Sequence, residues 1–124
     1  MSFPVATKQG QVLLGGKTAD VVVSNFGSHV LLCLSHFHKF GNLVLVTKET
    51  VANSNHTYTI KTILGNDNEM LQVLSRGIAE LVHKDPATPP SLLLALAIDQ
   101  QLSPAVLKEV IDALEKFGIN KPEL

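Results

Sequence analysis

Residues 26–46 read Phe26-Gly27-Ser28-His29-Val30-Leu31-Leu32-Cys33-Leu34-Ser35-His36-Phe37-His38-Lys39-Phe40-Gly41-Asn42-Leu43-Val44-Leu45-Val46. Two apolar runs flank a basic, glycine-containing turn, a pattern that predicts a β-hairpin. The first run does not alternate. In a strand, Val30, Leu32 and Leu34 point to one face, and Leu31 and Cys33 to the other. A sheet covered on one side only would show polar residues at every second position. Here both faces call for cover, and the chain has few helices to supply it. A partner protein is the natural cover for the second face.

The chain is 124 residues long, enough for one domain with one core. Apolar residues make up 45% and charged residues 17%, a balance that argues against disorder. There is no Trp and one Tyr, so no aromatic platform for single-stranded nucleic acid is available. Net charge is −1 and Arg76 is the one arginine. Without a basic block, nucleic-acid binding by counterion release has little to act through, and no nucleic-acid partner is expected. No apolar run reaches the length of a membrane span, the longest being Leu92 to Ile98. No membrane partner is expected. Met1 to Lys8 carries no signal-peptide core. A cytoplasmic location, with the nucleus as a second compartment, is therefore the expectation. Asn55-His56-Thr57 matches the glycosylation sequon, which without a secretory signal is read as coincidence.

Outward from the opening stretch, the elements follow in order. Val12 to Leu14 forms a short strand, Gly15-Gly16 a tight turn, and Ala19 to Asn25 a second strand. The third strand is His29 to Phe37 and the fourth Leu43 to Thr47. Residues 48–57 read as a polar loop. Tyr58 to Leu64 alternates, with Tyr58, Ile60 and Leu64 on one face and Thr59 and Lys61 on the other, as suits a strand near an edge. The period then changes. Asn66 with Glu69 resembles a capping box, and Leu71, Leu74, Ile78, Leu81 and Val82 recur at helical spacing. Gly77 inside this helix predicts close packing on the sheet. Leu92 to Ile98 is a sixth, central strand. Ser103-Pro104 starts a second helix, Val106, Leu107, Val110, Ile111, Leu114 and Phe117 form its stripe, and Gly118 ends it. The fold class is α+β: one domain over residues 1–124, a six-stranded mainly antiparallel sheet with two helices packed on one face, order β-β-β-β-β-α-β-α. The uncovered face keeps apolar residues from strands two, three, four and six, and such patches mark interaction sites. Two such faces packed together would give a sandwich with its helices outside.

In their order, these residues resemble the proteasome assembly chaperone 3 family. The resemblance rests on Phe26-x-Ser28-His29, the apolar strand, Phe37-x-Lys39-x-Gly41-x-Leu43-Val44, Lys61, and Leu64-Gly65-x-Asp67 before an amphipathic helix. It spans roughly residues 10 to 115. It implies a cytosolic, non-enzymatic chaperone for assembly of the 20S proteasome α-ring, acting as a dimer. The implied partners are a proteasome assembly chaperone 4-like protein, proteasome α-type subunits and, as a homodimer, a second copy. The terminal Pro122-Glu123-Leu124 differs from the hydrophobic-Tyr-x tail of some other proteasome factors. The rival reading is a small roadblock- or longin-like scaffold that binds GTPases or trafficking partners. A carrier for small apolar ligands and an enzyme rank below it.

His36 and His38 share a strand face at a spacing that suits a metal, but no organised acid or cysteine completes a ligand set. They read as strand-end histidines. Cys33 is the one cysteine, which excludes a disulfide framework; between Leu32 and Leu34 it reads as an inert small hydrophobe. Ser28-His29 lacks an orienting acid, and adjacent strand residues point apart. Gly15-Gly16 lacks phosphate-loop spacing. Glu69, Arg76, Glu80 and Lys84 on the first helix read as a solvated face, or, through the resemblance, as a docking surface for an α-type subunit. The expectation is no catalytic residue, no metal site and no cofactor. Thermal melting should accordingly be unchanged by EDTA; a fall of many degrees would contradict this.

Overall fold

The computed structural model describes residues 6–36, 41–50, 56–65, 68–84, 89–98 and 102–118. Six strands, β1 (Ala6–Leu14), β2 (Lys17–Asn25), β3 (His29–His36), β4 (Asn42–Thr50), β5 (His56–Leu64) and β6 (Ser91–Ala97), form one sheet in the order β1-β2-β3-β6-β4-β5. Helix α1 (Glu69–Val82) precedes β6 and α2 (Pro104–Phe117) follows it. The sheet is antiparallel except for β3–β6, which is parallel.

The expected hairpin between the third and fourth strands does not form. The two run antiparallel, but β6 lies between them, bonded to β3 on one side and to β4 on the other. Local sequence reports a reversal of direction and cannot report a strand inserted from beyond β5 and α1. Gly41 records the consequence. It lies where the chain passes the end of β6, and a Cβ there would overlap the Leu96 carbonyl oxygen and the Ala97 Cα. Gly65 is similar: its φ is +101°, and its Cβ would overlap the Asn42 side chain.

β1 starts six residues earlier than its apolar residues indicate. Its polar half, Ala6 to Gln11, is held in extended form by register with Asp20 to Asn25 of β2. The Gly15–Gly16 turn has φ of +60° and +77°, the left-handed pair that a two-residue hairpin of type I′ needs. β4 also runs on to Thr50, into the stretch read as loop. At the end of β5, a register shift between Leu43 and Val44 breaks the alternation. Leu64 therefore does not share the face of Tyr58 and Ile60, and it is 62% exposed.

The core lies on one face. Val21 and Val23, Val30, Leu32 and Leu34, Leu92, Leu94 and Leu96, and Val44 and Val46 are buried against Leu71, Leu74, Ile78, Val110 and Leu114 of the helices. The cap of α1 is Asn68, not Asn66: its side chain accepts from the Leu71 N–H at 2.8 Å, while Asn66 lies outside the described residues. At the other end of α1, the His83 ring sits between two carbonyl oxygens, 2.9 Å from Ala79 O to Nδ1 and 2.8 Å from Pro89 O to Nε2. Only an N–H can donate to a carbonyl, so the Nδ1–H tautomer bonds back onto α1 at Ala79 and the Nε2–H tautomer ties the end of α1 to Pro89. α2 has the expected ends: Ser103 accepts from the Val106 N–H, Pro104 opens the helix, and Gly118 closes it at φ +91°. Gly77 faces Ile111 of α2 and not the sheet, so the close approach it permits is between helices.

Phe117 lies over Gly10 of β1. A Cβ at Gly10 would sit 2.7 Å from the ring's Cε1. Lys8 Nζ donates to the Phe117 carbonyl at 2.6 Å and lies 4.9 Å from the ring centroid, which caps α2 with a cation. Gly41 and Gly10 should thus respond differently. Gly41→Ala meets main chain of the central strand and should cost about 3 kcal/mol, the upper end for overpacking. Gly10→Ala meets a ring that can turn aside and should cost about 1 kcal/mol. Urea denaturation of both variants checks the order.

Candidate functional site

Alternation places a second set of side chains on the face away from the helices. Register aligns them into rows across the sheet. One row runs Thr7, Ser24, Leu31, Leu93, Leu45, Lys61; the next runs Gln9, Val22, Cys33, Ala95, Leu43. Val22, Leu31, Cys33, Leu43, Leu45, Leu93 and Ala95 are each only half-buried, because strand neighbours cover their flanks while their tips face outward. They form one apolar patch centred on β3, β6 and β4.

The border of the patch is polar. Thr7, Gln9 and Gln11 line the β1 side, and Thr57, Thr59 and Lys61 the β5 side. Asp20 and Ser35 lie at one end, His29, Ser91 and Thr47 at the other. An apolar centre with a polar rim is the anatomy of a protein–protein interface. At the His29 end, Phe26 stacks on the imidazole with centroids 5.0 Å apart, and Ser28 Oγ lies 2.9 Å from His29 Nδ1; the two side chains meet rather than point apart because Ser28 lies in the bend before β3. Phe26 is 45% exposed, so this pair is a fixed aromatic ridge beside the patch.

The structure resolves which face of β3 is which: Val30, Leu32 and Leu34 pack under the helices, while Leu31 and Cys33 lie on the open face. Burial pushes the Cys33 thiol above its ordinary pKa, which lowers its thiolate fraction and its nucleophilicity at neutral pH. His36 is fully buried on the helix side. It is the last residue of β3, a strand-end histidine that packs into the core, and His38 lies outside the described residues. Among the described residues, no three His, Cys, Asp or Glu side chains converge as a metal would require. No described helix is long and apolar enough to cross a membrane.

Glu69, Arg76 and Glu80 lie on exposed positions of α1, and Lys84 lies just past its end. Arg76 pairs with Glu80 at 3.2 Å, one helical turn on, and Lys84 with Glu115 of α2 at 3.3 Å. Pairs this exposed contribute little to stability. Sequence reasoning missed Leu43, Leu45, Leu93 and Ala95 as individual members of the patch, although their odd-numbered alternation with buried Val44, Val46, Leu92 and Leu94 carried the signal. It also missed the Phe26–His29 stack.

Comparison with known proteins agrees with this architecture. The family described as Proteasome assembly chaperone 3 matches residues 32–117. The mouse proteasome assembly chaperone 3 is 32% identical, covering 86% of this chain and 90% of its own. The human protein is 31% identical with the same coverage, and that of Nematostella vectensis is 29% identical over 94% of this chain and 90% of its own. Among solved structures, a chain from a chaperone complex for yeast 20S proteasome assembly superposes with a TM-score of 0.68 at 17% identity. That match covers 90% of this chain and 97% of the yeast chain and shows a shared fold. By the extent of the family match and the identity to its relatives, the chain belongs to the proteasome assembly chaperone 3 family.

Proposed function

We propose that this protein is a non-enzymatic, cytoplasmic chaperone for assembly of the 20S proteasome α-ring, working as a dimer that transiently binds α-type subunits. The observation that carries the reading is the open sheet face, whose apolar centre is left without cover by α1 and α2. Water on Leu31, Leu45 and Leu93 is unfavourable by roughly 25 cal/mol for each Å² of apolar surface, so a second sheet laid on the patch is stabilised by its release. The partner is a proteasome assembly chaperone 4-like subunit, or a second copy when that subunit is absent. A specific association of this kind buries about 800 Å² or more on each side. The family membership and the yeast neighbour's complex support the proteasome as the object of assembly. The chaperone acts by shape and charge complementarity, holding neighbouring subunits in register and obstructing wrong contacts.

Pull-down from cell extract followed by mass spectrometry tests the reading. Recovery of proteasome α-type subunits together with a second assembly chaperone is the expected outcome. Recovery of small GTPases without proteasome subunits would replace it with the scaffold reading.

Adjacent residues of β3 should separate folding from association. Leu32 is fully buried beneath the helices, and Leu32→Asp places an unpaired carboxylate in the core at a cost of several kcal/mol, enough to unfold the domain. Leu31→Asp lies on the open face and should leave a folded subunit that no longer dimerises. Circular dichroism and size-exclusion chromatography distinguish the two. Two folded dimers would contradict the assignment of the faces.

Cys33 provides a reporter in the unaltered protein. With its thiol pKa raised and its side chain at the patch centre, reaction with Ellman's reagent should be slow and should slow further as protein concentration rises through the dimer range. A rate independent of protein concentration, measured across a range where sedimentation shows dimerisation, would place the interface elsewhere.

A further inference from the structure

We propose that the open sheet face pairs with a second copy of itself in one orientation, set by a row of leucines that seats in a row of small side chains. The inference rests on the reading above that this face is where the protein dimerises. It adds which residues meet and how the two sheets are turned.

The relief of the face is uneven along the strands. The row through Leu31, Leu93 and Leu45 stands high. In the next row β3 and β6 carry Cys33 and Ala95, and beyond that β3 carries Ser35. All six side chains are half-buried with their tips outward. A ridge therefore lies beside a hollow, about 6.8 Å away along the strands. Such a surface fits a copy of itself turned about a two-fold axis that runs across the strands between the two rows. Each strand then lies over its own counterpart, running the opposite way. Leu31 of one copy sits over Cys33 of the other, and Leu93 over Ala95, and the symmetry makes each contact twice. A two-fold axis along the strands would set leucine row on leucine row and leave the hollows facing across a void, which close packing disfavours. On β4 both rows hold a leucine, and Leu43 meets Leu45 at the margin of the patch, where two stacked, twisted sheets diverge.

Charge and extent select the same occupant. The rotation carries the His29 end of one face over the end of the other that holds Asp20 and Ser35. The His29 ring, fixed between Phe26 and Ser28, comes beside the Asp20 carboxylate, which accepts from Gln11 Nε2 at 3.1 Å within its own sheet. An N–H donor thus faces an anion at both ends of the dimer. Lys61 lies on the edge strand, where its stem covers the facing sheet and its ammonium reaches water. With strands about 4.8 Å apart and alternate residues about 6.8 Å along each, the face from β1 to β5 and from His29 to Ser35 measures roughly 800 Å². That is about what one side of a stable dimer buries.

The test exchanges ridge and hollow in the full chain. Ala95→Leu fills the hollow, against Leu93 of the second copy. Leu93→Ala removes the ridge and leaves a void over Ala95. Each variant alone should self-associate roughly tenfold or more weakly in sedimentation. Mixed one to one, the two should pair with each other. Native Leu93 then meets native Ala95, and the leucine introduced at 95 meets the alanine introduced at 93. Native mass spectrometry separates the mixed dimer from both homodimers by mass and should show it as the main dimer. Cys33→Leu mixed with Leu31→Ala repeats the exchange on β3, and it decides the matter if circular dichroism shows a β6 variant unfolded. The proposal is overturned if the wild type dimerises but the mixtures recover no dimer, or if the single variants dimerise as the wild type does. A wild type that stays monomeric, while a pull-down still recovers α-type subunits with a second chaperone, overturns pairing with a second copy and leaves the function proposed above standing. Mixed dimers without recovery of proteasome subunits uphold the pairing and count against that function.

Discussion

The structure depends on the insertion of β6 between β3 and β4. Without it there are two separate pieces: a β1-β2-β3 meander and a β4-β5 hairpin, neither paired to the other. β6 bonds to both, in parallel register to β3 from His29 to Ser35 and in antiparallel register to β4 from Asn42 to Thr47. Its even-numbered leucines, Leu92, Leu94 and Leu96, stand under the helices beside Leu32, Leu34, Val44 and Val46. The same strand that closes the backbone hydrogen bonding also completes the core. Gly41 belongs to this constraint, because it lies against the end of β6, where a Cβ would overlap the Leu96 carbonyl oxygen.

That central insertion also accounts for the open face. The odd-numbered residues of β6, Leu93 and Ala95, continue the apolar rows started by Leu31 and Cys33 and ended by Leu45 and Leu43. A hairpin of β3 with β4 alone would give a narrower stripe. With β6 between them, three adjacent strands present one apolar surface bordered by Thr, Gln and Lys side chains. Two helices can cover one face of six strands, and both are used on the same side. The fold is thus closed by helices on one face and presents an apolar patch on the other.

The two faces of the sheet are held to different standards. On the helix side, the apolar residues of β2, β3, β6 and β4 are buried, and the His83 ring reaches nearby carbonyls. On the open side, Cys33 and the leucines are half-buried and make room for another surface. Charged groups keep to the periphery: Arg76 with Glu80 on α1, Lys84 with Glu115 between helices, and Lys108, Asp112 and Lys116 above the β1 edge. No charge lies within the patch, where desolvating it would oppose association.

Much of this was legible in the chain itself, since it rests on local chemistry. Gly15-Gly16 specifies a type I′ turn because few other residues tolerate two left-handed positions in a row. Ser103-Pro104 and Gly118 fix α2 through a side-chain acceptor, a missing N–H and a positive φ. Unbroken apolar runs at 30–34 and 92–98 marked strands with two apolar faces. Tertiary structure alone decided what depends on distant segments. It placed β6 between β3 and β4 where residues 26–46 spelled a hairpin, because pairing energy does not record which strand supplies it. It extended β1 through polar residues because β2 supplied their partners, and turned Gly77 toward Ile111. It also chose Val30, Leu32 and Leu34 for the core over Leu31 and Cys33, since a strand's alternation defines two faces and only the position of the helices distinguishes them.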